Sequence, residues 1–113
     1  MGWLSRMFKK DKSPKASVAP KAVGKAPDGN DIPDYRLGLE GEYDDSGLAK
    51  RVALAYDNDA QLDDQERLWV AQTSGKVVLK GEVSDQATLD KMVSVAKGVK
   101  GATEVDASQV KVG

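Results

Sequence analysis

The chain has 113 residues, 40% hydrophobic and 31% charged, which leaves room for one domain and excludes two. It contains neither Cys nor His, so disulfide frameworks, thiolate zinc sites, cysteine nucleophiles and His-based triads are excluded, and the expectation is a protein that is no enzyme and carries no cofactor. The formal net charge of −1 conceals an asymmetry: residues 1–25 hold seven basic side chains against Asp11 alone, whereas the remainder holds 10 basic against 17 acidic, a basic arm on an acidic body that argues against nucleic acid as a partner.

In chain order, Trp3, Leu4, Met7 and Phe8 recur at helical spacing and gather into one sector, with Arg6 and Lys9 pointing away. So short a helix is marginal in water. It is expected either to fray or to form on a membrane or partner surface that buries its apolar side. The apolar stretch is too short and wrongly flanked for a secretory leader, and no run of 18 apolar residues spans a bilayer. Arg6 occupies the place where myristoylation wants Ser or Thr. The expected location is therefore cytoplasmic, with a peripheral place on the inner membrane face open to it.

Residues 1–12 are thus a basic amphipathic segment, and 13–46 a linker followed by an acidic stretch. Ser13–Pro27 is rich in Pro, Ala and Lys without periodicity and is expected to be semi-extended and disordered. Within Asp28–Ser46, Tyr35, Leu37 and Leu39 alternate with polar or small residues, a pattern suited to packing against the body or to a linear docking motif.

Residues 47–113 carry the regular pattern. Ser46 is placed to cap a helix over Gly47–Asp57, in which Leu48, Val52, Ala55 and Tyr56 recur. Two strand-like runs, Arg67–Thr73 and Lys76–Val83, flank Ser74-Gly75, a hairpin signal. In the second run Val77, Leu79 and Val83 share a face with Gly81. Ser84 or Asp85 caps a second helix with Leu89, Met92, Val93, Ala96 and Val99 at helical spacing, and Gly98 and Gly101 bracket its end. A last strand, Ala102–Val112, needs a bulge near Ala107–Gln109 if Val105, Val110 and Val112 are all to face inward.

The order helix, strand, strand, helix, strand resembles the BON domain, the bacterial osmotically inducible and nodulation module. The residues that carry the resemblance are Gly75-Lys76-Val77-Val78-Leu79-Lys80-Gly81-Glu82-Val83 and the ending Val95-Ala96-Lys97-Gly98-Val99-Lys100-Gly101-Ala102-Thr103-Glu104-Val105. Ala102 stands where the family usually has valine. The resemblance implies an α+β fold, a mixed three-stranded sheet with two helices on one face. It also implies a non-catalytic module of bacterial stress response that associates with phospholipid surfaces. Gly75, Gly81, Gly98 and Gly101 read as structural glycines: Gly75 for a positive φ in the hairpin, Gly81 for close approach of a helix, Gly101 for the turn into the last strand.

Two further features bear on function. Asp57, Asp59 and Asp63 place oxygens at alternate positions, but the Gly and the bidentate Glu of a calcium loop are replaced by Leu62 and Leu68. A solvated acidic connector is the plainer reading, and no metal is expected; a potassium-binding member of the family keeps a weak cation site in view. Trp69 lies out of phase with Leu68 and Val70, so it either packs beneath the N-terminal segment or serves an interface. The leading expectation is a membrane module that touches an anionic phospholipid surface or a protein through Trp3, Leu4, Arg6, Met7, Phe8, Lys9, Lys10, Lys12 and Trp69. The alternative is a soluble protein–protein adaptor or a potassium-sensing module.

Overall fold

The hydrophobic runs on either side of Ser74-Gly75 pair as an antiparallel hairpin of β1 (Leu68–Thr73) and β2 (Lys76–Val83) in the computed structural model, which describes residues 3–8 apart from the side chains of Ser5 and Arg6, 16–62 and 67–113. A third strand, β3 (Glu104–Val112), lies parallel to β2, so β2 is central. Parallel neighbours need a long crossover, which α3 (Gln86–Lys97) supplies. Val77, Leu79 and Val83 are buried on the inner face, as the alternation of β2 requires.

The parallel register shifts between Val78, which pairs with Asp106, and Lys80, which pairs with Gln109. β3 therefore spends one extra residue at Ala107–Ser108, where the valine phase calls for a bulge. Before it Val105 pairs with Val77, and beyond it Val110 and Val112 pair with Gly81 and Val83, all on the inner face. Their burial is incomplete: Val105 and Val110 are half-buried and Val112 is 38% exposed, because β3 is an edge strand.

The glycines do different work from that expected. In the hairpin it is Ser74 that takes the positive φ, at 52°, while a Cβ on Gly75 would lie 2.8 Å from Thr103 Oγ1. Gly81 has φ +124°, and a Cβ there would meet the Arg67 carbonyl oxygen at 2.0 Å, so the close neighbour is the backbone of the hairpin partner and not a helix. Gly98 remains right-handed at φ −83°, and the left-handed conformation falls to Gly101 at φ +95°.

Both main helices lie on the inner face. On α2 (Gly47–Asp57), Ser46 holds the N-cap position without a capping side-chain bond; Asp44 organises this end, its carboxylate accepting from Ser46 N at 2.9 Å and its carbonyl from Gly47 N at 3.0 Å. On α3 the cap is Asp85, whose carboxylate accepts from Thr88 N at 2.7 Å. Leu89, Met92 and Ala96 face the core, and the Tyr56 hydroxyl donates to the Met92 carbonyl at 2.9 Å, joining the helices.

Residues 16–46 depart furthest from expectation. The stretch from Ala16 to Pro27, expected as a disordered linker, lies along the body: Ser17 N donates to Leu39 O at 2.8 Å, Val23 N to Gly41 O at 3.0 Å, and Pro20 is buried. A single 3-10 turn, Asp34–Arg36, follows, and Leu37 and Leu39 enter the core while Tyr35 is half-buried, so the alternating triplet serves packing. The physical reason is Arg51. Its side chain is 0% exposed, and its guanidinium donates to the carbonyls of Leu37 at 2.7 Å, Lys100 at 2.5 Å, Val18 at 3.2 Å and Asp34. Burial pulls its pKa below the ordinary arginine value, an effect opposed by the nearby Asp34 charge. A segment without periodicity cannot form regular elements, yet its carbonyls satisfy a buried cation.

Candidate functional site

The N-terminal helix α1 (Trp3–Phe8) forms where its apolar spacing places it, but its surface is the protein's own. Trp3 and Leu4 are each 1% exposed. The Trp3 indole packs on Tyr56 with ring centroids 4.9 Å apart and donates from Nε1 to the Leu62 carbonyl at 2.8 Å. The first amides of α1, which have no partner within a helix, are met by Asp57: Trp3 N donates to Oδ1 and Leu4 N to Oδ2 at 3.1 Å. Met7 and Phe8 are half-buried, and the Lys50 ammonium sits 5.7 Å from the centre of the Phe8 ring. Two of the four apolar residues expected at a membrane are thus committed to the core while α1 is docked. The side chain of Arg6, and Lys9, Lys10 and Lys12, lie outside the described residues.

Two carboxylates of the acidic connector make structural contacts. Asp57 is occupied by α1. Asp59 accepts from Gln61 N at 2.9 Å and faces Lys91 Nζ at 3.2 Å; the bond from Gln61, helped by Lys91, holds its carboxyl below the usual carboxylate range. Asp63 lies outside the described residues. Among the described residues no group of three or more metal-ligating side chains comes together. Nor is any described helix long and apolar enough to cross a membrane.

Trp69 is 50% exposed on the sheet face away from the helices, while Leu37 and Leu39 are buried. The structure therefore separates the expected binding residues into two groups, Trp3 and Leu4 inside and Trp69 outside. Sequence reasoning missed Arg51 and Gln72. Gln72 fastens β1 to α2 and to the 3-10 turn, accepting from Ala49 N at 2.8 Å and donating to Tyr35 O at 2.9 Å.

The fold is a small α+β body with a mixed three-stranded sheet, two helices on its inner face and a half-exposed indole on the other. A family model for the BON domain matches residues 44–113, more than half of the chain, and the protein belongs to that family. Two curated relatives align over 64 residues at 34% identity, covering 57% of this chain and 33% of each relative: the 21 kDa hemolysin of Actinobacillus pleuropneumoniae and the outer membrane lipoprotein DolP of Haemophilus influenzae. The matched stretch is thus about a third of those proteins. The expected cytoplasmic location is overturned by the relative named as an outer membrane lipoprotein. The expectation rested on missing leader and membrane-span patterns, and such absences do not assign a compartment.

Proposed function

We propose that the protein is a BON module that attaches to anionic phospholipid at a bacterial envelope membrane, its basic N-terminal segment supplying the long-range attraction. The observation that carries this reading is the docking of α1. Trp3 and Leu4 anchor α1 in the core, and in sequence Lys9, Lys10 and Lys12 follow Phe8 within four residues. Cations held near an anionic leaflet each contribute about 1 kcal/mol, and a fixed origin lowers the entropy lost on binding. The outer membrane lipoprotein among the relatives supports the envelope setting.

Deleting the arm is a poor test, because it strips Trp3 and Leu4 from the core. The full chain is instead co-sedimented with phosphatidylglycerol-containing vesicles and with pure phosphatidylcholine vesicles. The expected result is anionic-selective pelleting that falls as salt rises. The triple reversal K9E/K10E/K12E should weaken it on the order of 100-fold. Equal, salt-insensitive pelleting with both lipids refutes the proposal.

A further inference from the structure

The open face of the sheet is uneven in charge. Because side chains alternate along a strand, Leu68 and Val70 turn to the core and Trp69 to the open face, where the antiparallel register sets it opposite Lys80. Across the parallel pairing Lys80 meets Gln109 and Glu82 meets Lys111. Arg67 reaches Glu82 at 3.7 Å while 82% of its own side chain stays open. Among the described residues, one end of the face therefore groups an indole with Arg67, Lys80 and Lys111 against one carboxylate, Glu82. The other end holds Lys76 between Glu104 at 3.9 Å and Asp106 at 3.7 Å. Residues 26–113 as a whole carry 10 basic against 17 acidic side chains, whereas the described side chains at the Trp69 end of the face are mostly basic.

We infer that this end of the open sheet face is the surface that seats on the bilayer, with Trp69 entering the headgroup boundary and Lys80, Lys111 and Arg67 meeting lipid phosphates. The inference rests on the anionic-membrane reading above and supplies its apolar contact, which Trp3 and Leu4 do not supply while buried. An indole favours the boundary because its ring is apolar and its N–H finds polar partners there. Lys and Arg extend their stems along such a surface and keep their charges at the phosphates. Neighbouring strands lie about 4.8 Å apart, so the four side chains sit within roughly 10 Å across the sheet, on a broad surface suited to a plane. The described cations around the ring, Arg67, Lys80 and Lys111, suit the phosphates of an anionic bilayer. Glu82 is engaged by Arg67, which lowers its repulsion of phosphate.

The chain has two tryptophans, Trp3 and Trp69, so W69F isolates the contribution of Trp69 to emission. Full-length wild type and W69F are mixed with phosphatidylglycerol vesicles carrying brominated acyl chains, and pelleting is measured in parallel. The expected result is quenching of wild type that disappears in W69F, with on the order of tenfold weaker pelleting for W69A. K80E/K111E, which leaves the core untouched, should weaken pelleting to a similar or greater extent. Pelleting of wild type with equal quenching of wild type and W69F, or with none in either, overturns the inference while the membrane reading stands; the first outcome would place Trp3 in the lipid. Failure of wild type to pellet at low salt overturns both. If W69A does not fold, K80E/K111E decides: unchanged pelleting of that variant overturns the inference.

Discussion

Arg51 shows how one residue can decide the layout of half the chain. Four carbonyls from three separated stretches converge on its guanidinium, and each bond to a charged donor contributes roughly 1.5–3 kcal/mol, less than additively. R51M removes the donors and leaves those carbonyls unsatisfied, so urea unfolding should show a loss of at least about 3 kcal/mol. R51K should recover only part of it, since one ammonium cannot span the same fork. A loss below about 1 kcal/mol for R51M would mean that water replaces the guanidinium. The residue was within reach of sequence reasoning: it lies three after Leu48 and four before Ala55, a lone cation inside an apolar stripe. What it binds was not, because backbone carbonyls of an irregular segment leave no trace in composition. Gly81 teaches the same lesson: a strand glycine signals close approach, but only the coordinates say that the Arg67 carbonyl is the neighbour.

Among the elements, those with strong periodicity were legible almost to the residue. The helix over Gly47–Asp57 and the strand over Lys76–Val83 appear as the spacing places them, and the out-of-phase valines of β3 report the bulge. Caps were less legible, since several side chains can reach a helix start. Asp85 is the cap of α3, and its bonds with Thr88 hold its carboxyl below the ordinary value of 3.8. A depressed folded pKa stabilises the protein above the unfolded value, and that stabilisation fades as pH falls through the folded one. D85A should therefore melt below wild type at neutral pH, and the gap should close only under acid conditions below about pH 4. A gap that widens on acidification would contradict the capping role. The helix α1 was legible as an amphipathic segment but not in its destination. Trp3, Leu4, Met7 and Phe8 fit a bilayer as well as a protein groove, and only the indole bond to Leu62 and the Asp57 carboxylate distinguish the two.

At the scale of the whole molecule, the family match begins at residue 44, but the physical unit begins much earlier. Trp3, Leu4, Ile32, Leu37 and Leu39 are buried against or beside the αββαβ body, and three of the four Arg51 carbonyl partners, Val18, Asp34 and Leu37, precede residue 44. Burial of one large apolar side chain contributes about 1.5–3 kcal/mol. Five of them rival the total of about 5–15 kcal/mol that a domain holds. A fragment of residues 44–113 should therefore lose cooperative unfolding or show a urea midpoint far below that of the full chain. In the full chain, the amides of Ser17 and Val23, which donate to Leu39 and Gly41, should exchange with the same opening free energy as the body, because they belong to one cooperative unit. A fragment as stable as the full chain, or fast exchange at Ser17 and Val23, would reduce the N-terminal half to a dispensable wrap. The expected outcome makes α1 and residues 16–43 part of the same folding unit as the αββαβ body.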